Sequence, residues 1–246
     1  MPQGSFGTIK AFNDFTSLAS DVTIAALATP LPGGVGWSMV TENVGSNAEV
    51  VDESGGILKC TTDTGDNDNV VIVSGKFDAS KGPITFESRF KVADDIANTA
   101  VFAGFTETLA LDTPIMPAEF ATATMTYNGS GGMLGLQWDS DATTNAWKAV
   151  CGDGGAVSGK DSFGANGTDA TDAMVVDEFD IVRVVLHPGG GGEVWHDDEL
   201  VASGATGLTT SDLFYAILMI ETRTTAALEL DVDYVYAEAV RDWAVD

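Results

Sequence analysis

The chain has 246 residues, a size that suits one large all-β domain, and its 44% hydrophobic content is ordinary for a globular protein. It carries 11 Lys and Arg against 37 Asp and Glu, which gives a formal net charge of −26. Because nucleic acids and anionic membranes attract proteins through basic residues, this charge argues against both as partners. The acidity fits either solubility in a salty medium or docking onto a basic protein surface.

The first 40 residues differ from the rest and are interpreted as an N-terminal arm. Apolar residues at helical spacing precede a run of Pro and Gly that ends any regular element: Phe12, Phe15, Leu18, Val22, Ala25, Ala26, Pro30, Pro32, Gly33, Gly34 and Gly36. We expect residues 1–40 to be extended or partly helical, and either to pack on their own domain or to reach a neighbouring subunit. Residues 1–6 have no basic region followed by an apolar core, so we expect no signal peptide.

From residue 41 to residue 241 the hydrophobic pattern has a period of two, which is typical of strands with one buried face. Apolar and polar residues alternate in Ile84–Val92 and again in Leu228–Tyr234. Further strands are predicted at residues 56–61, 70–73, 100–106, 123–127, 134–138, 146–150, 179–187, 192–196 and 214–222. Many short strands separated by turn residues predict an all-β fold, an antiparallel two-sheet β-sandwich of the jelly-roll type, with a short tail at 242–246.

Asparagine and glycine mark the turns between these strands. Asn128-Gly129 and Asn166-Gly167 are dipeptides that tolerate the positive φ of hairpin turns. The glycine run at 189–192 is expected at a hairpin tip, because a strand follows it where a phosphate loop would need a helix. Residues 107–122 and 152–177 are predicted to be long surface loops, a type of segment that often carries function.

One segment offers ligands for a cation. Asp63, Asp66 and Asp68 could supply carboxylate oxygens around a sharp turn, as Ca²⁺ prefers, although the spacing and the bidentate Glu of an EF-hand are missing. The other interpretation is a solvated turn, since Asp is common in this chain. His187 and His196 have no Cys or third His at ligand spacing, so the sequence does not predict a zinc site. Apart from this Ca²⁺, no cofactor is expected.

Two segments of the sequence carry part of a catalytic motif. Residues 178–183 and 229–234 each begin like the Glu-x-Asp-x-x-Glu motif of sandwich glycosidases, which place two carboxyl groups across the scissile bond. The last position is Arg183 in one motif and Tyr234 in the other, and an Arg cannot donate a proton near neutral pH. We therefore predict no catalytic residue and no enzymatic activity. Cys60 alternates with Leu58 and is interpreted as a buried free thiol, while a disulfide with Cys151 stays open.

Three stretches resemble the concanavalin-like lectin and glucanase superfamily, over about residues 41–241. They are Ile84–Val92, the strand pair within Phe179–Val201, and Leu230–Tyr236. The resemblance implies a jelly-roll sandwich, but no copy of the glucanase catalytic motif stands upstream of the strand pair. Two further stretches, Glu49–Leu58 and Phe102–Thr108, look like the concanavalin-like proteins of tailed-phage particles.

The phage resemblance implies a non-enzymatic virion structural protein, above all a capsid decoration (cement) protein that coats or stabilises the head. Its partners would then be the major capsid protein, other virion subunits or copies of itself, and its location the virion, assembled in the host cytoplasm. The alternative is a carbohydrate-binding, lectin-like module, which predicts Trp138, Trp147 or Trp195 exposed on a concave sheet, with bound Ca²⁺ and a glycan as partner. A glycoside hydrolase is the third hypothesis.

Overall fold

The computed structural model describes residues 8–15, 23–25, 29–31, 36–42, 46–51, 56–110, 113–129, 131–153 and 163–240. Within these residues the chain forms nineteen β-strands and one 3-10 turn, Ile96–Asn98. The strands are β1 Thr8–Asn13, β2 Thr23–Ala25, β3 Thr29–Pro30, β4 Trp37–Thr41, β5 Asn47–Val51, β6 Ile57–Thr61, β7 Asn69–Asp78, β8 Ile84–Val92, β9 Thr99–Thr106, β10 Ala118–Ala121, β11 Thr124–Tyr127, β12 Met133–Asp139, β13 Lys148–Gly152, β14 Thr168–Asp169, β15 Asp180–Leu186, β16 Gly191–His196, β17 Glu199–Ala205, β18 Leu213–Thr222 and β19 Glu229–Val240. No helix in this part of the chain is long and apolar enough to cross a membrane.

Two antiparallel sheets pack face to face, which confirms the predicted sandwich. The nine-stranded sheet has the order β17-β16-β15-β8-β19-β6-β5-β2, and β1 joins it beside β19. Strands β6 and β1 pair with successive halves of β19, while β8 pairs with the other edge of that strand. The eight-stranded sheet has the order β14-β13-β12-β9-β18-β7-β4-β3. Strands β10 and β11 form a separate hairpin.

Apolar side chains fill the space between the two sheets, as the alternation predicts. Along β8 the inward residues are fully buried and the outward residues are partly exposed. Aromatic rings contact one another through this core with centroid separations of 6.0–6.4 Å, in the pairs Trp37–Phe86, Phe86–Phe105, Phe90–Trp147 and Trp138–Trp147. Each buried aromatic ring contributes about 2–3 kcal/mol through loss of water contact. The core therefore does not depend on a disulfide, and Cys60 and Cys151 are buried free thiols.

Where the structure describes residues 1–40, they are extended and pack on their own domain, as one of the two expected arrangements has it, and they form no helix. Their described parts are β1, β2, β3 and most of β4, and each of these strands pairs with a strand of the sandwich. The expected boundary at residue 40 lies inside β4. The apolar spacing misled because β1 is held by β19, a partner more than 200 residues away, which local spacing cannot reveal. The tail at 242–246 lies outside the described residues.

An irregularity in β19 reverses which side chains face outward. The register against β8 shifts between Val232 and Tyr234, so Asp233 is the extra residue of a β-bulge. Before the bulge, Leu230 and Val232 point into the core; after it, the buried positions are Val235, Ala237 and Ala239. Without the bulge, the period of two would have pointed Tyr234 and Tyr236 into the core.

The close approach of β9 and β12 requires glycine, and this gives a first prediction. Gly104 lies opposite Gly135, and a Cβ on Gly104 would lie 2.3 Å from the carbonyl oxygen of Leu134. Because backbone atoms on both strands would have to move, Gly104→Ala should lower the free energy of unfolding by about 2 kcal/mol. Urea denaturation measures this. Gly75→Ala is the control, because no atom lies within 4 Å of its added Cβ; equal losses in the two variants would contradict the prediction.

Candidate functional site

The outer face of the eight-stranded sheet is covered by the chain itself. Residues 113–127, which include the β10–β11 hairpin, lie on this face and bury a second apolar cluster, separate from the main core. Two side chains of the sheet donate hydrogen bonds to main-chain carbonyl groups of this cover. The Gln137 amide donates to the carbonyl of Ala118 (2.5 Å), and the Asn69 amide donates to the carbonyl of Pro114 (2.7 Å). Part of the predicted surface loop at 107–122 is thus a packed cover over this sheet.

At one end of the cover, three carboxylates surround a buried arginine. The guanidinium of Arg223 lies 2.8 Å from Asp139, 2.6 Å from Glu221 and 3.0 Å from Glu119 of the covering hairpin. Asp139 and Glu221 are almost completely buried. These carboxyl groups are close enough together to be compared with the paired acids of a glycosidase. Each one is engaged by Arg223, and Asp139 and Glu221 are also shielded from solvent, so the group is built for stability in the form described.

Glu221 gives a prediction for the dependence of stability on pH. Burial raises the pKa of Glu221 from 4.5 to about 8, in spite of the nearby Arg223 charge. The folded state therefore keeps a proton that the unfolded state releases above pH 4.5. The stability that this proton contributes is complete below pH 4.5 and is lost as pH rises through 8. Between pH 5 and pH 9, wild type should lose up to about 4 kcal/mol relative to Glu221→Gln, which cannot titrate. Urea denaturation at pH 5, 7 and 9 tests this, and parallel pH profiles would contradict it.

Among the residues that the structure describes, the outer face of the nine-stranded sheet is open, and a row of aromatic and charged side chains on it is partly or largely exposed. Phe12 on β1 lies opposite Tyr236 on β19, and Tyr236 lies opposite Glu87 on β8. Glu87 in turn lies opposite Arg183 on β15, and Arg183 lies opposite Trp195 on β16. These five residues, called the outer-face row below, cross five neighbouring strands and span about 19 Å at ordinary strand spacing.

The rings of the outer-face row keep exposed surface and have polar groups beside them. Phe12 is 51% exposed, and its ring lies 6.4 Å from that of Tyr236. The Tyr236 hydroxyl donates to Glu238, and the Trp195 indole N–H donates to Glu193 at 3.1 Å. The Arg183 guanidinium lies 4.7 Å from the centre of the Trp195 ring. The row thus combines apolar ring surface with hydrogen-bonding groups on a rigid sheet.

The charges on this face are locally balanced, unlike those of the chain as a whole. Five of the 11 basic residues lie here, and four of them form ion pairs with neighbouring carboxylates: Lys10 with Glu238, Lys59 with Glu229, Arg89 with Asp233, and Lys91 with Asp177 and Asp231. Because most of these pairs are partly exposed, each contributes little to stability. Their effect is to make this face much less repulsive to an approaching molecule than a net charge of −26 suggests.

A buried histidine and two aspartates lie where β15 begins and β16 ends. The His196 Nε2 atom lies 2.7 Å from Asp180 Oδ1 and 3.6 Å from Asp197 Oδ2. His196 and Asp180 are buried, whereas Asp197 is exposed in the two-residue turn to β17. Burial lowers the pKa of His196, but the hydrogen bond and charge of Asp180 outweigh this and raise the pKa above its ordinary value. Burial raises the pKa of Asp180.

The structure does not bring the predicted calcium ligands together. Asp63 is partly exposed and Asp66 is exposed, while Asp68 is buried and accepts a hydrogen bond from the Gly65 amide at 2.6 Å. In the part of the chain that the structure describes, one group of three His, Cys, Asp or Glu side chains has all its ligand atoms within 4.8 Å, and that group is Asp180, His196 and Asp197. The turn at Asp63–Asp68 is held by its own hydrogen bonds.

The three tryptophans expected on a concave sheet lie in different places. Trp138 and Trp147 are core residues, at 3% and 0% exposure. Trp195 is partly exposed, but on the outer face of the nine-stranded sheet. The outer-face row was missed in the sequence because the bulge at Asp233 controls the direction of Tyr236. The Arg223 group was missed because its members lie up to 104 residues apart.

The chain matches no protein-family model and no curated protein. Its fold, however, is shared by solved structures of low sequence identity. The carbohydrate recognition domain of Emp47p is 12% identical, with a TM-score of 0.56 over 94% of this chain and 100% of that one. Peanut lectin with a 9mer peptide is 10% identical, with a TM-score of 0.55 over 96% and 99% of the two chains.

The fold is also shared by a structure connected with glycan-degrading enzymes and by a potassium-bound carbohydrate recognition domain. One, described under endo-acting O-glycanases of the human gut microbiota, is 12% identical with a TM-score of 0.55 over 94% of this chain and 98% of that one. The carbohydrate recognition domain of Emp46p in a potassium-bound form is 10% identical with a TM-score of 0.50 over 84% and 89%. At such identities the likeness defines the fold alone. The chain shares the two-sheet β-sandwich fold of these carbohydrate recognition domains.

Proposed function

We propose that this chain is a non-catalytic, lectin-like module that binds a neutral glycan on the outer face of its nine-stranded sheet. The observation that carries the proposal is the outer-face row, in which three aromatic rings and two charged groups share one line across five strands. The likeness of the fold to carbohydrate recognition domains supports it.

The chemistry of the outer-face row suits sugar rings. A pyranose ring presents C–H groups on its faces and hydroxyl groups around its rim. The rings of Phe12, Tyr236 and Trp195 offer apolar surface for those faces, and the polar tips of Tyr and Trp remain beside it. Glu87 and Arg183 lie between the rings, where charge-assisted hydrogen bonds to hydroxyl groups can form. Since the row spans about 19 Å, it suits a chain of several sugars better than one terminal sugar.

Charge determines the class of glycan. A net charge of −26 repels sulfated and carboxylated polysaccharides, and the ion pairs on the open face leave little free positive charge to attract them. A neutral polysaccharide carries no such penalty. The proposed ligand is therefore a neutral oligosaccharide or polysaccharide.

Binding without hydrolysis is part of the proposal. The carboxylates on the eight-stranded sheet, Asp139 and Glu221, are buried beneath the covering hairpin and engaged by Arg223. A glycosidase needs two carboxyl groups in contact with the scissile bond. Glu178 and Glu229 are the first residues of the two incomplete motifs. In each motif the Glu expected at the last position is missing, and Arg183 or Tyr234 stands there.

Affinity electrophoresis in gels that contain one polysaccharide each tests the proposed function. The panel includes neutral glucans, mannans and galactans beside sulfated and carboxylated polymers, with Ca²⁺ or with EDTA. We expect at least one neutral polymer to retard the chain, no charged polymer to do so, and no reducing sugar to be released. Free migration through every neutral gel, or release of sugar, would contradict the proposal.

A second function, docking onto other proteins of a virus particle, is favoured by the composition of the same face. Protein interfaces are enriched in Trp, Tyr, Phe and Arg, and the open face displays all four. Binding at many weak contacts on a capsid lattice would then replace glycan binding. This hypothesis predicts the chain at a fixed copy number in purified particles, measured by quantitative mass spectrometry. Absence from the particles, together with retardation by a neutral glycan, would leave the first function standing alone.

A further inference from the structure

Asp180, His196 and Asp197 form a group that neither the fold nor the proposed glycan surface explains. Asp180 is the first residue of β15, His196 is the last of β16, and Asp197 begins the turn to β17. We propose that these three side chains bind a divalent transition-metal ion, held by one imidazole nitrogen and two carboxylate oxygens. Such a site would fix the end of the hairpin that carries Trp195.

The spacing of the ligand atoms suits an ion. Metal–nitrogen and metal–oxygen bonds of about 2.0–2.2 Å place neighbouring ligand atoms roughly 3.0–3.5 Å apart in octahedral or tetrahedral sites. The His196 nitrogen lies 2.7 Å from Asp180 Oδ1 and 3.6 Å from Asp197 Oδ2, on either side of that range. Shifts of a few tenths of an ångström would bring the His196 nitrogen to this spacing from each carboxylate oxygen, and all three ligand atoms lie within 4.8 Å of one another. An ion would replace the proton shared by His196 and Asp180.

Groups outside the site orient both carboxylates. The Trp147 indole N–H donates to Asp180 Oδ1 at 3.1 Å, and the Ile181 amide donates to Asp197 Oδ1 at 2.8 Å. Trp147 is itself fixed by ring contacts with Phe90 and Trp138. In metal sites, ligating carboxylates are held by such outer hydrogen bonds, which fix the direction of the remaining oxygen. Here the second oxygen of Asp197 is left directed toward His196. A simple buried pair of His196 and Asp180 would not need this third group.

The donor set defines the class of ion. One nitrogen and two oxygens suit Zn²⁺, Co²⁺ or Mn²⁺, whereas Ca²⁺ takes six to eight oxygen ligands. The Asp197 side chain is 42% exposed, so the fourth and further positions can be filled by water. The site lies in a different part of the chain from the Asp63–Asp68 turn, and the two differ in the ion that they favour.

Cobalt absorption spectroscopy tests the site directly. The full chain is treated with EDTA, dialysed, and titrated with Co²⁺, whose visible bands report bound nitrogen and oxygen ligands. We expect the bands to saturate at one Co²⁺ per chain, to disappear when Zn²⁺ is added, and to persist in the presence of Ca²⁺. His196→Gln should abolish them. His187→Gln is the matched control, because this second histidine pairs with Glu193 at the surface.

A second variant covers the case in which His196→Gln fails to fold. Asp197→Asn changes an exposed residue, and the amide oxygen can still accept from the Ile181 amide. We expect Asp197→Asn to weaken Zn²⁺ binding in calorimetry by about 10-fold or more and to leave the melting temperature of the metal-free chain unchanged. Asp198→Asn is its control. Lack of saturable Co²⁺ bands in wild type, or equal Zn²⁺ affinity in the Asp197 and Asp198 variants, would overturn the proposal. Neither readout depends on glycan binding.

Discussion

Replacing Trp195 and Tyr236 together by alanine should reduce affinity for the retarding polysaccharide by about 100-fold. Each ring offers apolar surface to one sugar, and loss of such a contact typically costs about 1–2 kcal/mol. Both side chains point outward from strands of the nine-stranded sheet, so their removal leaves the core intact. Affinity electrophoresis at several polysaccharide concentrations gives the dissociation constants, and circular dichroism confirms the fold. Each single variant should lose about 10-fold.

The control for this experiment is Tyr215→Ala. Tyr215 is also partly exposed and has a basic side chain over its ring, because Lys76 lies 4.6 Å from the ring centre. It lies on β18 of the other sheet, so its loss should leave glycan affinity within about 2-fold of wild type. Unchanged affinity in the Trp195 and Tyr236 variants, or an equal loss in Tyr215→Ala, would place the binding surface elsewhere.

Arg223→Met should lower the free energy of unfolding by about 3–5 kcal/mol at neutral pH. The change removes the positive charge that contacts Asp139, Glu119 and Glu221, and leaves the buried Asp139 carboxylate without compensation. Because the raised pKa of Glu221 lets this carboxyl group keep its proton at pH 5, the loss should be smaller at pH 5 than at pH 8. Urea denaturation at the two pH values measures both effects. A loss below 1 kcal/mol at pH 8 would contradict this account of the group.

Two further variants separate charge from packing in the Arg223 group. Adding Asp139→Asn to Arg223→Met removes the buried uncompensated charge, and adding Glu221→Gln removes the second carboxyl group that ionises as pH rises, so the combined variant should regain part of the lost stability. Arg183→Met, a change on the open face, should alter stability by about 0.5 kcal/mol or less. Without any restoration in the combined variant, lost packing would be the better explanation of the Arg223→Met effect.

The sandwich could be predicted from the sequence because burial on one face imposes a period of two on each strand. The alternation in β8 predicted the direction of its four apolar and four outward polar residues, although the inward Ser88 is polar. The same rule, applied to Leu228–Tyr234, would point Tyr234 inward, since a bulge is fixed by pairing with β8 and leaves no local pattern. Likewise, β1 gains its strand structure from β19, and the spacing of Phe12 and its neighbours indicated a helix instead.

The candidate sites were less accessible to sequence reasoning than the fold. The outer-face row gathers residues from five strands, and its order follows from sheet topology. The Asp180 and His196 group forms because β15 and β16 pair, although Asp180 and Asp197 are 17 positions apart in the sequence. The Asp63–Asp68 segment is the opposite case. Its acidic residues are close in the sequence, but their carboxylate oxygens do not form a group of three ligand atoms within 4.8 Å of one another. The predictions of a virion location and of capsid partners stay predictions.

The measurement that tests the glycan-binding account most directly is the NMR spectrum of the tryptophan indole N–H groups during titration with a neutral oligosaccharide. Trp195 lies in the outer-face row, whereas Trp37 and Trp147 are buried between the sheets. We expect the Trp195 signal, assigned with Trp195→Phe, to shift and saturate while the Trp37 and Trp147 signals stay in place. Saturable binding that leaves the Trp195 signal unmoved would contradict the account.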